Sequence, residues 1–478
     1  MATDPMRLGR ALLPAALLSL LAACATPGAT PPRPVIDLPL AWPAQEGAEV
    51  PLDAHWWRLF EDPALDALVD EALAANGDLA IAAERIEQAR LQAGIVDTDR
   101  YPSVSGGASS TRNRRSLEGS VQQPAGTPRI QNTHQIGIEA SYELDLWGRY
   151  RAASEAARAD LLATQWAREG IRLSLIANVI DSYHALRAAD ASKLALQRTL
   201  AGRDDALDLL ARRVQAGTAS EFDLNQTRAE RVAVITQQAA LDSDTAAVEA
   251  RLATLLGRSP RAILQADIQR GRGIERLPLQ VPAGLPSELL LRRPDLRLAE
   301  ARLAAADARI VEARALLYPS ISLTAAFGQE SATLSKLLTS GANVINLGLG
   351  LTQPIWNAGR LQKNVALTES QRREQLLAYD QALRAAFGDV QTAVAAQGAA
   401  TRILESERMR ADILRDTARQ AGLRFDAGLT SRLEVLDAER NLLQAELAAI
   451  NAEAAQRTAV TSLVRALGGG WDAAATGN

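Results

Sequence analysis

Residues 212–228 read RRVQAGTASEFDLNQTR, and residues 423–439 read LRFDAGLTSRLEVLDAE. Both place Arg, Gly, Ser and an acid at one spacing: Arg213, Gly217, Ser220 and Asp223, then Arg424, Gly428, Ser431 and Glu434. This is the spacing of a helical turn. A glycine can take the left-handed conformation that ends a helix without Cβ strain. A serine three residues later accepts from a free amide of the next helix, and an acid three residues beyond it can reach back. Ser220, Asp223, Ser431 and Glu434 are therefore expected as helix caps, with two helical hairpins turning at 217–220 and 428–431.

The echo extends along the chain. Asp78-Leu79 leads through a helical pattern to Tyr101-Pro102-Ser103, and Asp295-Leu296 leads to Tyr318-Pro319-Ser320, at an offset of 217 (318 − 101). Further on, Gly217 and Gly428 differ by 211 (428 − 217), as do Leu256-Gly257 and Leu467-Gly468. Two nearly constant offsets mean two copies of one unit, and their difference falls where loops absorb length changes. Repeat 1 is expected over 76–257 and repeat 2 over 287–470, joined by a linker at 258–286 and followed by a tail at 471–478.

Each copy reads helix, strand, loop, strand, long helix, turn, helix. Strands are expected near 102–110 and 135–145, then near 320–328 and 344–352. Ile136, Ile138, Ala140 and Tyr142 alternate with smaller or polar residues, as do Ile345, Leu347, Leu349 and Leu351. Segments of about ten residues with period 2 suit outer-membrane barrel strands, and also a soluble sheet with one wet face. About eight strands are the fewest that close, so four in a membrane imply several chains sharing one barrel. Between about Arg149 and Ala216, and between Arg360 and Ala427, there is no proline. At ~1.5 Å per residue each stretch would make a helix of roughly 100 Å, which needs lateral partners.

Among 478 residues, 47 % are hydrophobic but only 4 % aromatic, a balance set by Ala and Leu that favours closely packed long helices. A net charge of −4 without a basic block leaves nucleic acid no electrostatic footprint. No GxxxxGK[ST] loop or GxSxG elbow occurs, and His55, His134 and His184 lack metal-ligand spacing. Neither an enzyme nor a metal or cofactor site is expected.

Residues 1–23 carry Arg7 and Arg10 and then ALLPAALLSLLAA, the length of a signal-peptide core and too short to span a membrane. The run ends Leu21-Ala22-Ala23-Cys24, which resembles the bacterial lipobox, and Cys24 is the single cysteine. Cys24 is thus the expected lipid-attachment residue, and Ala25 in place of Asp implies outer-membrane sorting. A proline-rich tether and a first helix fill 24–75.

Together with the two turns, five stretches carry a resemblance: HWWRLFEDPALDALVDEAL (55–73), ELDLWGR (143–149), LPSELLLRRPDL (285–296), ARALLYPSISL (313–323) and PIWNAGR (354–360). In this order and spacing they resemble the TolC-like outer-membrane efflux factors, in particular the lipidated OprM/NodT-type branch. The resemblance implies a mainly α fold in which long hairpins form a trimeric α-barrel and four strands per chain contribute to a shared twelve-stranded β-barrel. It implies a homotrimer in contact with outer-membrane lipids, a periplasmic adaptor protein and an inner-membrane pump of the RND type. The function implied is a passive conduit for drugs or other small molecules. The competing expectation is a lipid-anchored periplasmic coiled-coil adaptor, against which the paired strands argue. In the resembling family the hairpin tips meet the adaptor, here Gly217, Thr218, Ser220, Gly428, Thr430 and Ser431. Glu434 and Asp437 match acids that constrict the periplasmic aperture. Copy one has Gln226 where copy two has Asp437, and that asymmetry points to copy two for the gate.

Overall fold

The structure, a computed structural model, describes residues 54–116, 128–265, 268–271 and 292–470. The signal segment, Cys24, the tether up to residue 53, residues 272–286 of the linker and the tail 471–478 lie outside the described residues. The elements run α1 (Pro63–Ala75), α2 (Gly77–Thr98), β1 (Ser103–Arg114), β2 (Ile130–Glu143), α3 (Arg149–Gln215), α4 (Glu221–Leu255), α5 (Pro260–Gln265), α6 (Pro294–Ala315), β3 (Ser320–Ser331), β4 (Asn343–Thr352), α7 (Arg360–Asp426) and α8 (Arg432–Ala466). The fold is mainly helical and duplicated: α2–β1–β2–α3–α4 is followed by α6–β3–β4–α7–α8. The short helix α5, inside the expected linker, had no signal beyond Pro260 at its first position.

Two compact units divide the chain. One comprises Ile86–Ala163 with Ala299–Tyr379 and contains the sheet. Its four strands pair antiparallel in the order β1-β2-β3-β4. The register puts Ile136 and Ile138 on one face with Val104, Phe327, Ile345 and Leu349. The other face has Ser105, Ser109, Gln135, Thr324, Asn346 and Gly348, residues too small or polar to form a core. β1 and β2 extend further toward their connecting loop than expected, because Arg112, Arg114 and Asn132 mask the alternation that the ladder itself continues. Trp147 packs at the helix end of the sheet, stacked on Tyr318 at 4.9 Å and donating from Nε1 to the Pro319 carbonyl at 2.7 Å. Trp356, which follows β4 as Trp147 follows β2, differs and is 86 % exposed.

The second unit holds Thr164–Leu298 and Asp380–Asn478 together with the described residues up to Arg85. Its core joins Trp56, Trp57, Phe60, Leu65 and Val69 to Ile176, Val179, Ile180 and Tyr183 of α3, and to Leu252, Val460 and Val464. Asp62 organises this core. It caps α1 by accepting from Ala64 N at 3.0 Å, with Pro63 at the first helical position. Its other oxygen accepts from the Tyr183 hydroxyl at 2.6 Å and from Arg187 at 3.1 Å, so the buried charge is paired and hydrogen-bonded.

One side-chain device closes both copies. Asn76 donates to the Leu255 carbonyl at 2.9 Å, and Arg293 donates to the Ala466 carbonyl at 2.7 Å. The donors differ by 217 (293 − 76) and the acceptors by 211 (466 − 255), the two offsets of the duplication. Each ties the start of its copy to an unpaired carbonyl in the last turn of that copy's returning helix. The chain then turns at Gly257 (φ +67°), where a Cβ would lie 2.1 Å from the Ala75 carbonyl oxygen. Only glycine satisfies both the conformation and the approach.

His184 lies in the same core, 4 % exposed and 4.9 Å from the Phe60 ring. Neither ring nitrogen has a hydrogen-bond partner among the described residues. Burial, with Arg457 and Arg187 nearby, lowers its pKa from the ordinary 6.5 to about 3. Protonation therefore favours the unfolded chain: stability is complete above pH 6.5 and declines as the pH falls toward 3, at ~1.4 kcal/mol per unit. Melting of the wild type should drop steeply between pH 6.5 and 5, and His184→Leu should flatten that slope. Parallel profiles for the two proteins would refute this origin of acid sensitivity.

Candidate functional site

The two hairpin tips lie in the second unit, and hydrogen bonds show why the chain turns there. After α3, Thr218 N donates to the Arg213 carbonyl at 2.8 Å and Gly217 N to Val214 at 2.9 Å. After α7, Leu429 N donates to Arg424 at 2.8 Å and Gly428 N to Phe425 at 2.9 Å. This crossed pair is the Schellman termination, with Gly217 at φ +72° and Gly428 at φ +74°. No atom lies within 4 Å of where a Cβ would sit at either glycine. Their left-handed backbone favours glycine, while the space beside them is open.

Ser220 caps α4 by accepting from Phe222 N at 3.0 Å, and Ser431 caps α8 by accepting from Glu434 N at 3.4 Å. The acids depart from the reciprocal box. Glu434 accepts from the Thr430 hydroxyl in place of the Ser431 amide. Asp223 contributes instead to the field around Arg432 on α8. Caps of this kind are worth ~1 kcal/mol each, so the tips hold without the second arm.

Behind the tips lies a buried ionic cluster that local spacing did not reveal. Arg203 of α3, with its side chain only 3 % exposed, pairs closely with Glu439 of α8. Arg432 stands 4.0 Å from the same carboxylate and sits over the Phe425 ring at 5.8 Å. Burial, reinforced by the charge of Arg203, holds the Arg432 guanidinium below its ordinary range against the opposing pull of Glu439. Two arginines thus share one acid and join the first hairpin to the second. Copy one has Arg228 where copy two has Glu439 (439 − 211), so duplication symmetry could not have indicated the pair.

The candidate aperture acids are both exposed. Asp437 pairs with Arg440 one turn along and accepts from Asn441 at 3.2 Å. At the equivalent place in copy one, the Gln226 carbonyl oxygen is buried and has no partner among the described residues. An acid there would be a buried charge, which explains the Gln226/Asp437 asymmetry by burial alone. Spacing also missed the apolar residues of the tips. Phe222 is 71 % exposed and Leu429 70 %, and Leu433 occupies in copy two the position of Phe222. Among the described residues, no group of three His, Cys, Asp or Glu is placed to hold a metal ion.

Glu439→Gln removes the acid that two buried arginines share. Arg203 is then left buried without its acid, although solvent reaching Glu439 keeps the cost below that of a fully buried pair. The purified variant should melt earlier and be cut by protease near residues 200–230 and 420–440, and Arg203→Met added to it should recover part of the loss. Unchanged melting and cleavage in Glu439→Gln would show that the cluster does not hold the hairpins together.

Comparison with known proteins accounts for both copies. The family model described as outer membrane efflux protein matches residues 68–258 and 285–469, two segments that follow the duplication. The solvent efflux pump outer membrane protein SrpC of Pseudomonas putida is 36 % identical over 413 residues, 86 % of each chain. The probable outer membrane lipoprotein SilC of Salmonella typhimurium is 32 % identical over 465 residues, 96 % of this chain and 98 % of that one. The crystal structure of the CmeC outer membrane channel of Campylobacter jejuni superposes with a TM-score of 0.86 at 27 % identity, covering 92 % of this chain and 95 % of that one. The paired strands, the two capped hairpins and these relatives agree: the chain belongs to the outer membrane efflux protein family and is an efflux conduit of the outer membrane.

Proposed function

We propose that three copies of this chain assemble into one conduit, anchored by lipid on Cys24 and coupled at its hairpin tips to a periplasmic adaptor and an inner-membrane pump of the RND type. The observation that carries this is the sheet. β1 and β4 are open edges, and the face with Val104, Ile138, Phe327 and Leu349 is apolar and exposed. In hydrocarbon each unpaired edge group costs several kcal/mol, so β4 of one chain must find β1 of the next. Two chains would give eight strands, whose interior is just filled by side chains; three give twelve and a lumen lined by Ser, Thr, Gly and Asn. The helices need partners for the same reason, since Leu377, Met409, Ile413 and Leu423 of α7 are exposed.

The tips suit adaptor contact because glycine, open space and exposed apolar side chains meet there. With the polar lumen face and no nucleotide-binding motif, the conduit is passive and not an enzyme, and energy comes from the pump. SrpC is named for solvent efflux, and small molecules of that size are the cargo class proposed here.

Heat-modifiable trimers in the outer-membrane fraction are the expected form, and a monomer in the soluble periplasm would overturn the proposal. Asp is tolerated in left-handed backbone better than most residues, so Gly428→Asp should leave trimers intact while export falls at least tenfold. Normal export in that variant would remove the adaptor role from the tip. Asp437→Ala should raise single-channel conductance in planar bilayers by freeing Arg440 from the aperture ring. Unchanged conductance would place the constriction elsewhere.

A further inference from the structure

The sheet is bounded differently at its two ends. At the helix end, Tyr142 lies on the apolar face, and Tyr101 and Trp356 are exposed nearby in sequence to the strands. Aromatic rings of this kind mark a membrane interface. At the loop end no Trp, Tyr or Phe occurs among the described residues 110–116, 128–134 and 329–343. Four arginines are there instead: Arg112, Arg114, Arg115 and Arg129, all exposed.

Register places two of them on the face that meets lipid. Arg112 pairs with Asn132 and Arg114 with Ile130, and strand alternation puts both on the side of Val104 and Ile136. Arg115 and Arg129 close the hairpin, with Arg115 N donating to the Arg129 carbonyl at 3.0 Å and Arg129 Nε donating to the Arg115 carbonyl at 3.2 Å. None of the four guanidinium groups has an acidic partner among the described residues. Four like charges at one sheet end repel one another, so internal packing gives no reason for them.

Their height gives one. From Tyr142 to Asn132, the partner of Arg112, the strand advances roughly 34 Å at ~3.4 Å per residue. At a tilt of about 40° that is about 26 Å, the height of the apolar band in outer-membrane barrels. With the aromatic end at one boundary, the other is reached through the polar pair of Ser110 and His134, and Arg112 lies just beyond it, at the level of the headgroups.

We propose that Arg112, Arg114, Arg115 and Arg129 form a docking surface for the phosphate groups of the phosphorylated glycolipid in the outer leaflet. A guanidinium fork matches a phosphate bidentately and carries little hydration, which suits a site at the edge of hydrocarbon. The surface lies on the same sheet face as the lipid-facing band, beyond the polar pair of Ser110 and His134, a position at the edge of the lipid that favours a headgroup over a soluble anion. Three copies would surround the barrel with three such surfaces. The surface presupposes the trimeric barrel proposed above.

The test uses purified full-length trimers and phosphatidylcholine bicelles carrying either bisphosphorylated lipid A or the same glycolipid with its phosphates removed. Wild-type trimers should bind the phosphorylated form at least about tenfold more tightly, and the preference should shrink in 0.5 M salt. Replacing the four arginines by Gln should abolish the preference, and replacing them by Lys, which keeps the charge but not the fork, should keep only part of it. Should the fourfold Gln variant fail to assemble, Arg112→Gln with Arg114→Gln, on the exposed face alone, should still reduce the preference severalfold. Intact variant trimers that bind both forms as the wild type does would overturn the inference, as would equal competition by millimolar inorganic phosphate. A wild type that is not recovered as an outer-membrane trimer would instead overturn the barrel.

Discussion

An unpaired peptide group has nowhere to go in hydrocarbon. Water satisfies the edge of a soluble sheet, but lipid cannot, so a strand that enters a membrane must bring neighbours on both sides. Four strands in the order β1-β2-β3-β4 satisfy this internally and leave it unmet at two edges. That incompleteness governs the other features of the chain. The sheet has an apolar face with nothing of its own to cover it, and α7 carries exposed leucine, isoleucine and methionine along its length. In the assembly proposed above, the chain finishes its hydrogen bonding and its hydrophobic burial by meeting copies of itself.

The duplication divided structural and functional labour unevenly. Where the copies must do the same mechanical work, they use different atoms at corresponding places: an Asn76 amide in one and an Arg293 guanidinium in the other reach the last turn of the returning helix. Where they contact each other, they diverge into complementarity. Glu439 accepts from the buried Arg203, while its counterpart Arg228 bonds to Asn225 one turn away. Gln226 and Asp437 differ because one oxygen is buried and the other carboxylate is exposed. By the same offset Arg203 corresponds to Leu414 (203 + 211), so neither partner of the pair recurs in the other copy.

Legibility followed the range of the interactions. The hairpin turns could be read from five or six residues because a left-handed glycine and a serine cap act locally, and α3 and α7 end within a residue of where they were expected. The strands could be recognised from alternation, but their ends could not: Arg112, Arg114 and Asn132 are polar residues in a ladder maintained by backbone pairing. Asp62 read as part of a family stretch, yet its bond to Tyr183 spans 121 residues and has no local signature. The Arg203–Glu439 pair, 236 residues apart, was beyond any reading of spacing. Sequence pattern therefore located the tips and left the cluster behind them unseen.

The bond from Asn76 to Leu255 has a consequence for how the chain acquires its structure. It closes a loop of 179 residues, and its counterpart from Arg293 closes one of 173. Loop-closure entropy grows only slowly with length, but contacts this distant in sequence cannot form until the whole intervening segment has been delivered. A copy emerging amino terminus first therefore holds its first helix without this anchor until the hairpin has gone out and returned. Each copy completes itself only when its final turn arrives, so a truncated chain lacks the bond that ties its beginning to its end.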